Sequence, residues 1–541
     1  MAASVSTADI MTIERVAEAL RSRDPRRAAK LAEAAMAGGL RHPILFNARA
    51  LWFSEQGQHE EALADFKRAE AMAPPNAATK NAIALCLAKL ERPAEAIEAF
   101  DAAIALQPES AKLHYRKGWV HEVAGDLKLA REAHERAISL QPDYADALAR
   151  LAFLAARLGE WRDARSFATH ALERDSRQTA ADLALAMCDL EDNAYDTAEQ
   201  RLTKVLNDKR AGVMDRYLTL GLLGDLRDKQ DRIGDAFVFY ERANDLVRQT
   251  RPPAAGGTVT MYEATSALCR YFDALPPRLE AVRKSSGPAR AHVFLLGFLR
   301  SGTTLLEQVL ASHGDVVALE EKDTLADAVR AYMAQPKDLE RLWAASEDLL
   351  AGDREAYWRR VRAFGVEPEG KVVVDKMPIN TIKIPIIARL FPDATILLAI
   401  RDPRDVVLSC FRRSFGFNAS TYEFLTLEST ARFYDAVMRL AELYRAKLAP
   451  KLYQIRLEDL VSDFDGQVRA LCDFIDLPWS DEMHEFAERS KARAIPTPSA
   501  TQVIRGINSQ GVGQWRRYRD QMAPALPILM PWVQRFDYPK D

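Results

Sequence analysis

The stretch Val293–Ser312, VFLLGFLRSGTTLLEQVLAS, decides the fold. The apolar run Val293–Leu296 predicts a buried strand. It breaks at Gly297 into the turn Phe298-Leu299-Arg300-Ser301-Gly302. From Thr303 onward, Leu305, Leu306, Val309 and Leu310 fall at helical spacing. A strand, a glycine-bearing turn and a helix start form a layout that binds phosphate. The first amides of a helix have no partner inside it, and its dipole favours an anion there.

The spacing of Gly297 and Gly302 matches the nucleotide-binding P-loop, but Thr303 stands where that loop carries the lysine that reaches the terminal phosphates. The change argues against a kinase or triphosphate hydrolase. The loop's cation comes earlier, at Arg300, which suits a donor with fewer phosphates. Taken alone, the turn also fits an ordinary strand–turn–helix with a solvent-facing arginine.

Three further short β-like runs follow, at 371–374, 394–400 and 452–456, each leading into a helical pattern. Continuous apolar strands alternating with helices predict a parallel sheet covered on both faces. In such sheets ligands bind beyond the carboxyl ends of the strands. That rule gathers Arg300, the Asp375-Lys376 pair and Arg401 on one rim. After the run 394–400, in IRDPRDVVLS, Asp402 can cap a helix, Pro403 suits its first turn and Asp405 completes a capping-box pattern. Arg401 stands outside that N-terminus, with Ser409 two turns further on. An arginine so placed can grip a phosphate through paired hydrogen bonds, or simply pair with an aspartate.

Residues 9–250 repeat at close to 34 residues. The frame A-x-x-x-F-x-x-A recurs as Ala62/Phe66/Ala69, Ala96/Phe100/Ala103 and Ala130/His134/Ala137, followed by Pro74, Pro108 and Pro142. Small residues at helical spacing let paired helices approach, and each proline stops the second helix of its pair. Period and pattern resemble the tetratricopeptide repeat, which implies an all-α superhelix of about seven pairs that takes up a protein or peptide, or serves as a spacer or dimerisation scaffold. Residues 251–285, opening RPPAAGGT, read as a linker and connecting helix, and 286–541 as the second domain.

Composition narrows the function classes. The 541 residues exceed one core, and a net charge of −3 gives no general attraction to nucleic acid or anionic membrane. The five cysteines, Cys86, Cys188, Cys269, Cys410 and Cys472, show no metal or redox spacing and suit reduced thiols of a cytoplasmic protein. No carboxylate cluster at metal spacing, no membrane span and no leader pattern is evident, so no metal is expected.

The pairing of GFLRSGTT (297–304) with RDPRDVVLS (401–409) resembles the sulfotransferases that use 3′-phosphoadenosine 5′-phosphosulfate (PAPS). The stretches 313–325 and 375–404 resemble the protein-tyrosine sulfotransferase branch in particular. The resemblance implies an α/β P-loop-like sulfotransferase domain with a central parallel sheet behind the repeat array. It implies that Arg300, Ser301, Gly302, Thr303 and Thr304 hold the 5′-phosphosulfate and that Arg401 and Ser409 hold the 3′-phosphate. It also implies Glu321 as catalytic base and Lys376 as the residue steadying the bridging oxygen, with Arg300 assisting. Glu321 would need its carboxyl lifted by burial or by Glu320, which is itself an alternative base; the pair also fits a solvated acidic turn. Near the end, Gly513-Gln514-Trp515-Arg516 resembles a segment that closes over the nucleotide. It departs from the Arg-Lys-Gly triplet of the cytosolic branch, leaving Arg505, Trp515 and Arg516 as candidates. His313 reads as a residue at the end of the loop helix rather than the base. The acceptor implied is a hydroxyl of a protein, glycan or small compound, and both the repeats and the fold are compatible with a homodimer. The competing expectation is a repeat scaffold with a catalytically weak nucleotide domain.

Overall fold

The computed structural model describes residues 6–250, 259–276, 287–415, 420–491 and 506–541. The linker opening 251–258, the end of the connecting segment and Arg505 lie outside the described residues. The chain divides into two compact units, 1–188 and 189–541.

The first unit is built of antiparallel helix pairs, such as Pro43–Glu55 with His59–Ala71 and Ala77–Lys89 with Pro93–Leu106. The small and aromatic residues of the repeat frame are buried between them: Ala62, Phe66 and Ala69, then Ala96, Phe100 and Ala103. Helices end at Ala71, Leu106 and Leu140, just short of Pro74, Pro108 and Pro142. Where the third frame has His134 instead of phenylalanine, the ring is fully buried and its Nε2 lies 2.8 Å from Glu122 Oε1. Burial alone would raise the Glu122 carboxyl, but Arg150 and His134 outweigh it and hold it at about 2.

The second unit holds a five-stranded, all-parallel sheet: β1 (Ala291–Gly297), β2 (Val316–Glu320), β3 (Val372–Lys376), β4 (Thr395–Ile400) and β5 (Leu452–Arg456), in the order β2-β3-β1-β4-β5. Both faces are covered, as the continuous apolar strands require. Phe294, Leu296, Val373, Ile396 and Leu398 join one core, while Val293, Leu295, Val372, Val374 and Leu397 join the other. Two sequence expectations need correction. β2 was not anticipated, because VVALE is a short, half-buried edge strand without a long apolar run. Asp375 and Lys376 lie inside β3 rather than after it. Alternation along β3 therefore sends them to opposite faces.

The repeat pattern runs to residue 250, but the helices Tyr195–Asn207, Val213–Lys229 and Ile233–Thr250 belong to the second unit. Ala236 and Tyr240 share the core of the sheet, Phe237 stacks on Phe411, and a polar seam adds to this packing. Arg412, at the end of the helix Pro403–Arg412, pairs with Asp228 at 2.7 Å and lies over the Tyr240 ring at 5.1 Å. Arg517 Nη1 and the Tyr518 hydroxyl also donate to Asp228, at 2.9 and 2.6 Å. Asn244 Nδ2 donates to the Phe411 carbonyl at 3.1 Å.

Burial works to raise the Asp228 carboxyl, yet Arg412, Tyr518 and Arg517 hold it below the usual range. A carboxyl depressed in the folded state stabilises above its unfolded pKa and loses that contribution as pH falls through the folded value. Asp228→Ala is expected to destabilise the second unit by about 3 kcal/mol at pH 7, because it leaves Arg412 without its counter-charge. The deficit relative to the unsubstituted chain should shrink below about pH 4. Urea unfolding at both pH values checks this.

Candidate active site

The rim of the sheet at the ends of β1 and β4 is where chain direction switches. β1 leads toward β2 on one side, and β4 leads toward β5 on the other. A crevice at such a point is the place for a ligand in an open parallel sheet.

The turn after β1 is backbone-determined. A Cβ on Gly297 would lie 2.7 Å from the Ala399 carbonyl oxygen of β4, so only glycine allows the two strands to close there. Gly297 is further fastened by Thr381, whose buried hydroxyl accepts from its amide at 3.0 Å and donates to its carbonyl at 2.8 Å. Arg300 and Gly302 adopt left-handed backbone, with φ of 69° and 94°. Glycine takes this conformation freely; an arginine takes it at a cost that surrounding structure must offset. The helix Thr303–Ala311 starts at Gly302, and Ser301, Thr303 and Thr304 are buried at its first turn.

The two anion motifs meet here. Arg300 Nε donates to Ser409 Oγ at 3.0 Å, and Arg401 Nη1 donates to the Arg300 carbonyl at 3.1 Å. Arg401 Nη2 donates to the Gly511 carbonyl, and its Nε is buried with no hydrogen-bond partner among the described residues. Arg401 thus bonds backbone carbonyls and not a carboxylate. The aspartate open to it in the sequence, Asp402, is occupied by Arg404, which donates to both its oxygens at 2.9 and 2.8 Å. Burial, with Arg413 and Arg401 close by, depresses the Arg300 guanidinium to about 9. Cations crowded in a dry site are stabilised by an anion brought between them. Arg413 belongs to this group and was not singled out in the sequence, where nothing separates it from its neighbour Arg412.

Beside the turn lies a second cluster. Lys376, fully buried on β3, faces the helix Thr303–Ala311. Its Nζ sits 3.1 Å from Glu307 Oε2, also fully buried, and 2.9 Å from Glu321 Oε1. Glu321 follows β2, with φ of 48°, and its amide donates to the Lys376 carbonyl at 2.8 Å. Glu321 is not itself a buried side chain; it is 40% exposed. The buried carboxyl is Glu307, which burial lifts well above the usual range against the pull of Lys376. Its sequence signal was a charge set among Leu306, Val309 and Leu310 on a short apolar helix. Glu320 turns instead toward Gln308, which donates to it at 3.1 Å.

Other expectations change in detail. Asp405 does not complete a capping box; it accepts from the amides of Gly513 and Trp515 at 2.6 and 2.8 Å, stitching that late segment to the helix Pro403–Arg412. Trp515 is buried with Arg404 stacked 3.8 Å over its ring, and Arg516 donates to the Asp541 carbonyl at 2.9 Å. His313 follows the loop helix, and its Nδ1 accepts from the Asp315 amide at 3.0 Å, fixing the bend into β2. Among the described residues no cluster of His, Cys, Asp or Glu is arranged to hold a metal ion, and no helix is long and apolar enough to cross a membrane.

Residues 292–481 match the model of the sulfotransferase family, and residues 14–77 and 81–145 match that of the tetratricopeptide repeat. An uncharacterized protein of Aquifex aeolicus is 26% identical over 357 residues, 64% of this chain and 46% of that protein. A protein-tyrosine sulfotransferase of Drosophila melanogaster is 25% identical over 271 residues, 46% of this chain and 53% of that protein. Protein-tyrosine sulfotransferase 1 of Danio rerio is 26% identical over 263 residues, 46% of this chain and 72% of that protein. The chain thus spans about half the length of the first two. Among solved structures, the type IV pilus biogenesis factor PilW aligns over 40% of this chain and 99% of its own, with 20% identity and a TM-score of 0.34.

Proposed function

We propose that this chain, tetratricopeptide repeats followed by a sulfotransferase-family domain, moves a sulfuryl group from PAPS to a hydroxyl acceptor. The observation that carries the reading is the joining of the two motifs: Arg300 bonds Ser409, and Arg401 bonds the Arg300 backbone. The unpartnered Nε of Arg401 and the crowding of guanidinium groups fit a ligand bearing phosphates at two ends.

In this reading the amides opening the helix Thr303–Ala311, with Arg300, Ser301, Gly302, Thr303 and Thr304, hold the 5′-phosphosulfate. Arg401 and Ser409 hold the 3′-phosphate. The acceptor oxygen attacks sulfur in line, the sulfur–oxygen bond to the phosphate breaks, and the electron pair stays on the departing adenosine 3′,5′-bisphosphate. Glu321 takes the acceptor's proton. Arg300 and Lys376 stabilise charge on the bridging oxygen. A sulfuryl group carries less charge than a phosphoryl group, so no metal is invoked.

Tyrosine in a protein is the favoured acceptor, supported by the names of the relatives that match; a glycan or small hydroxyl compound is the alternative. We assign the repeats to protein or peptide capture and the enzyme to the cytoplasm, the latter on five free, buried cysteines. Transfer of 35S from labelled PAPS to an acceptor panel tests the activity. Capture of a partner by the repeats with no affinity for adenosine 3′,5′-bisphosphate would favour a scaffold instead.

Arg401→Ala is expected to weaken calorimetric binding of adenosine 3′,5′-bisphosphate by about 10–100-fold, the worth of a hydrogen bond to a charged group.

A further inference from the structure

We propose that Glu307 is a positioning residue that keeps Lys376 protonated and in place through the transfer step. The inference rests on the sulfuryl-transfer reading above and adds a residue to it.

Lys376 has no exposed surface, and its ammonium is shared between Glu307 at 3.1 Å and Glu321 at 2.9 Å. A buried ammonium stays charged only while a counter-charge stands beside it. Glu321 cannot fill that role throughout. When the acceptor's O–H gives its proton to Glu321, that carboxylate becomes neutral. At the same moment the sulfur–oxygen bond to the phosphate breaks and the electron pair gathers on the bridging oxygen, where Lys376 must be positive. Glu307 is the second carboxyl on the same ammonium, set on the first turns of the loop helix and sealed from water. Neither of its oxygens has a hydrogen-bond partner among the described residues, so the ion pair with Lys376 is its close polar contact there.

The charged and titratable groups facing Glu307 are Lys376 from β3 and Glu320 and Glu321 from the end of β2. Burial lifts Glu307, Lys376 pulls it down, and the two glutamates push it up. When Glu321 takes the acceptor's proton, the Glu307 carboxylate at 3.1 Å stays as the negative partner of the Lys376 ammonium. Burial alone would lower Lys376, but Glu307 and Glu321 outweigh it and hold it above its ordinary value.

The test is the pH dependence of kcat for 35S transfer in the full chain. Glu307→Gln keeps shape and removes the charge. It is expected to lower kcat at least about tenfold, with the KM for PAPS little changed, because the phosphates are held elsewhere. The alkaline limb of kcat should move to lower pH by about 1–3 units, since Lys376 then loses its proton sooner. Glu307→Asp should return the limb toward its original position. A folded Glu307→Gln chain with unchanged kcat and an unmoved limb overturns the proposal. If Glu307→Gln does not fold, the double variant Glu307→Met/Lys376→Met decides. A folded double variant supports Glu307 as the partner that Lys376 requires, and an unfolded one contradicts it. If the unsubstituted chain transfers no sulfate to any acceptor, the sulfotransferase reading itself is lost, which is a separate outcome.

Discussion

Glu321→Gln is expected to lower kcat for sulfuryl transfer by roughly 10²–10⁴, the usual worth of a positioned general base, and to leave affinity for adenosine 3′,5′-bisphosphate within about twofold. Glu321 is held at the sheet rim from two directions. Its amide continues the ladder onto the Lys376 carbonyl, and its Oε1 is engaged by Lys376 Nζ. The left-handed backbone at Glu321 turns the chain out of β2 at that point. With a side chain 40% exposed, it is open to an incoming hydroxyl in a way that Glu307 is not. Glutamine preserves the shape and the contact distance but cannot accept the proton. Glu320→Gln is the control: that side chain is turned to Gln308, and its loss should change kcat by no more than about threefold. A full effect at Glu320 and none at Glu321 would exchange their roles.

Arg300→Ala should reduce kcat/KM by about 10²–10³, the loss typical of one preorganised donor to developing charge. The residue is 9% exposed with left-handed backbone, and its Nε donates to Ser409 Oγ. The surrounding turn, fastened by Thr381 and Ser409, offsets the cost of that backbone. Arg300→Lys is expected to recover part of the rate, because it restores charge without the paired N–H geometry. Steady-state rates for the three proteins, with calorimetry on each, separate loss of binding from loss of catalysis.

Much of this site was legible in the sequence because its parts are local. Gly297 and Gly302 flank a turn whose chemistry lies within eight residues, GFLRSGTT, and the residues from Arg401 to Ser409 lie on one helix start. The repeat frame was legible for the same reason: its alanines recur at a fixed step. What stayed hidden depends on neighbours distant in the chain. Nothing in RDPRD says that Arg404 takes Asp402, leaving Arg401 to backbone carbonyls, or that Asp405 reaches Gly513 and Trp515. Nothing in Arg412-Arg413 says that the first pairs with Asp228 at 2.7 Å while the second lies 3.9 Å from Asp225. Alternation within β3 could have separated Asp375 from Lys376 had the strand been extended by two residues. Asp375 instead meets the Thr324 and Tyr357 hydroxyls on the opposite face, at 2.6 and 2.8 Å.

The proposed grip on one nucleotide at both phosphates needs two motifs far apart in the chain to meet, and Arg300 and Ser409, 109 positions apart, do so at 3.0 Å. Calorimetric titration of the unsubstituted chain and Arg401→Ala with adenosine 3′,5′-bisphosphate and with adenosine 5′-phosphate tests it most directly. The prediction is that Arg401→Ala weakens the bisphosphate by about 10–100-fold and leaves the 5′-phosphate nearly unaffected. An equal loss for both ligands, or no preference of the unsubstituted chain for the bisphosphate, would contradict it.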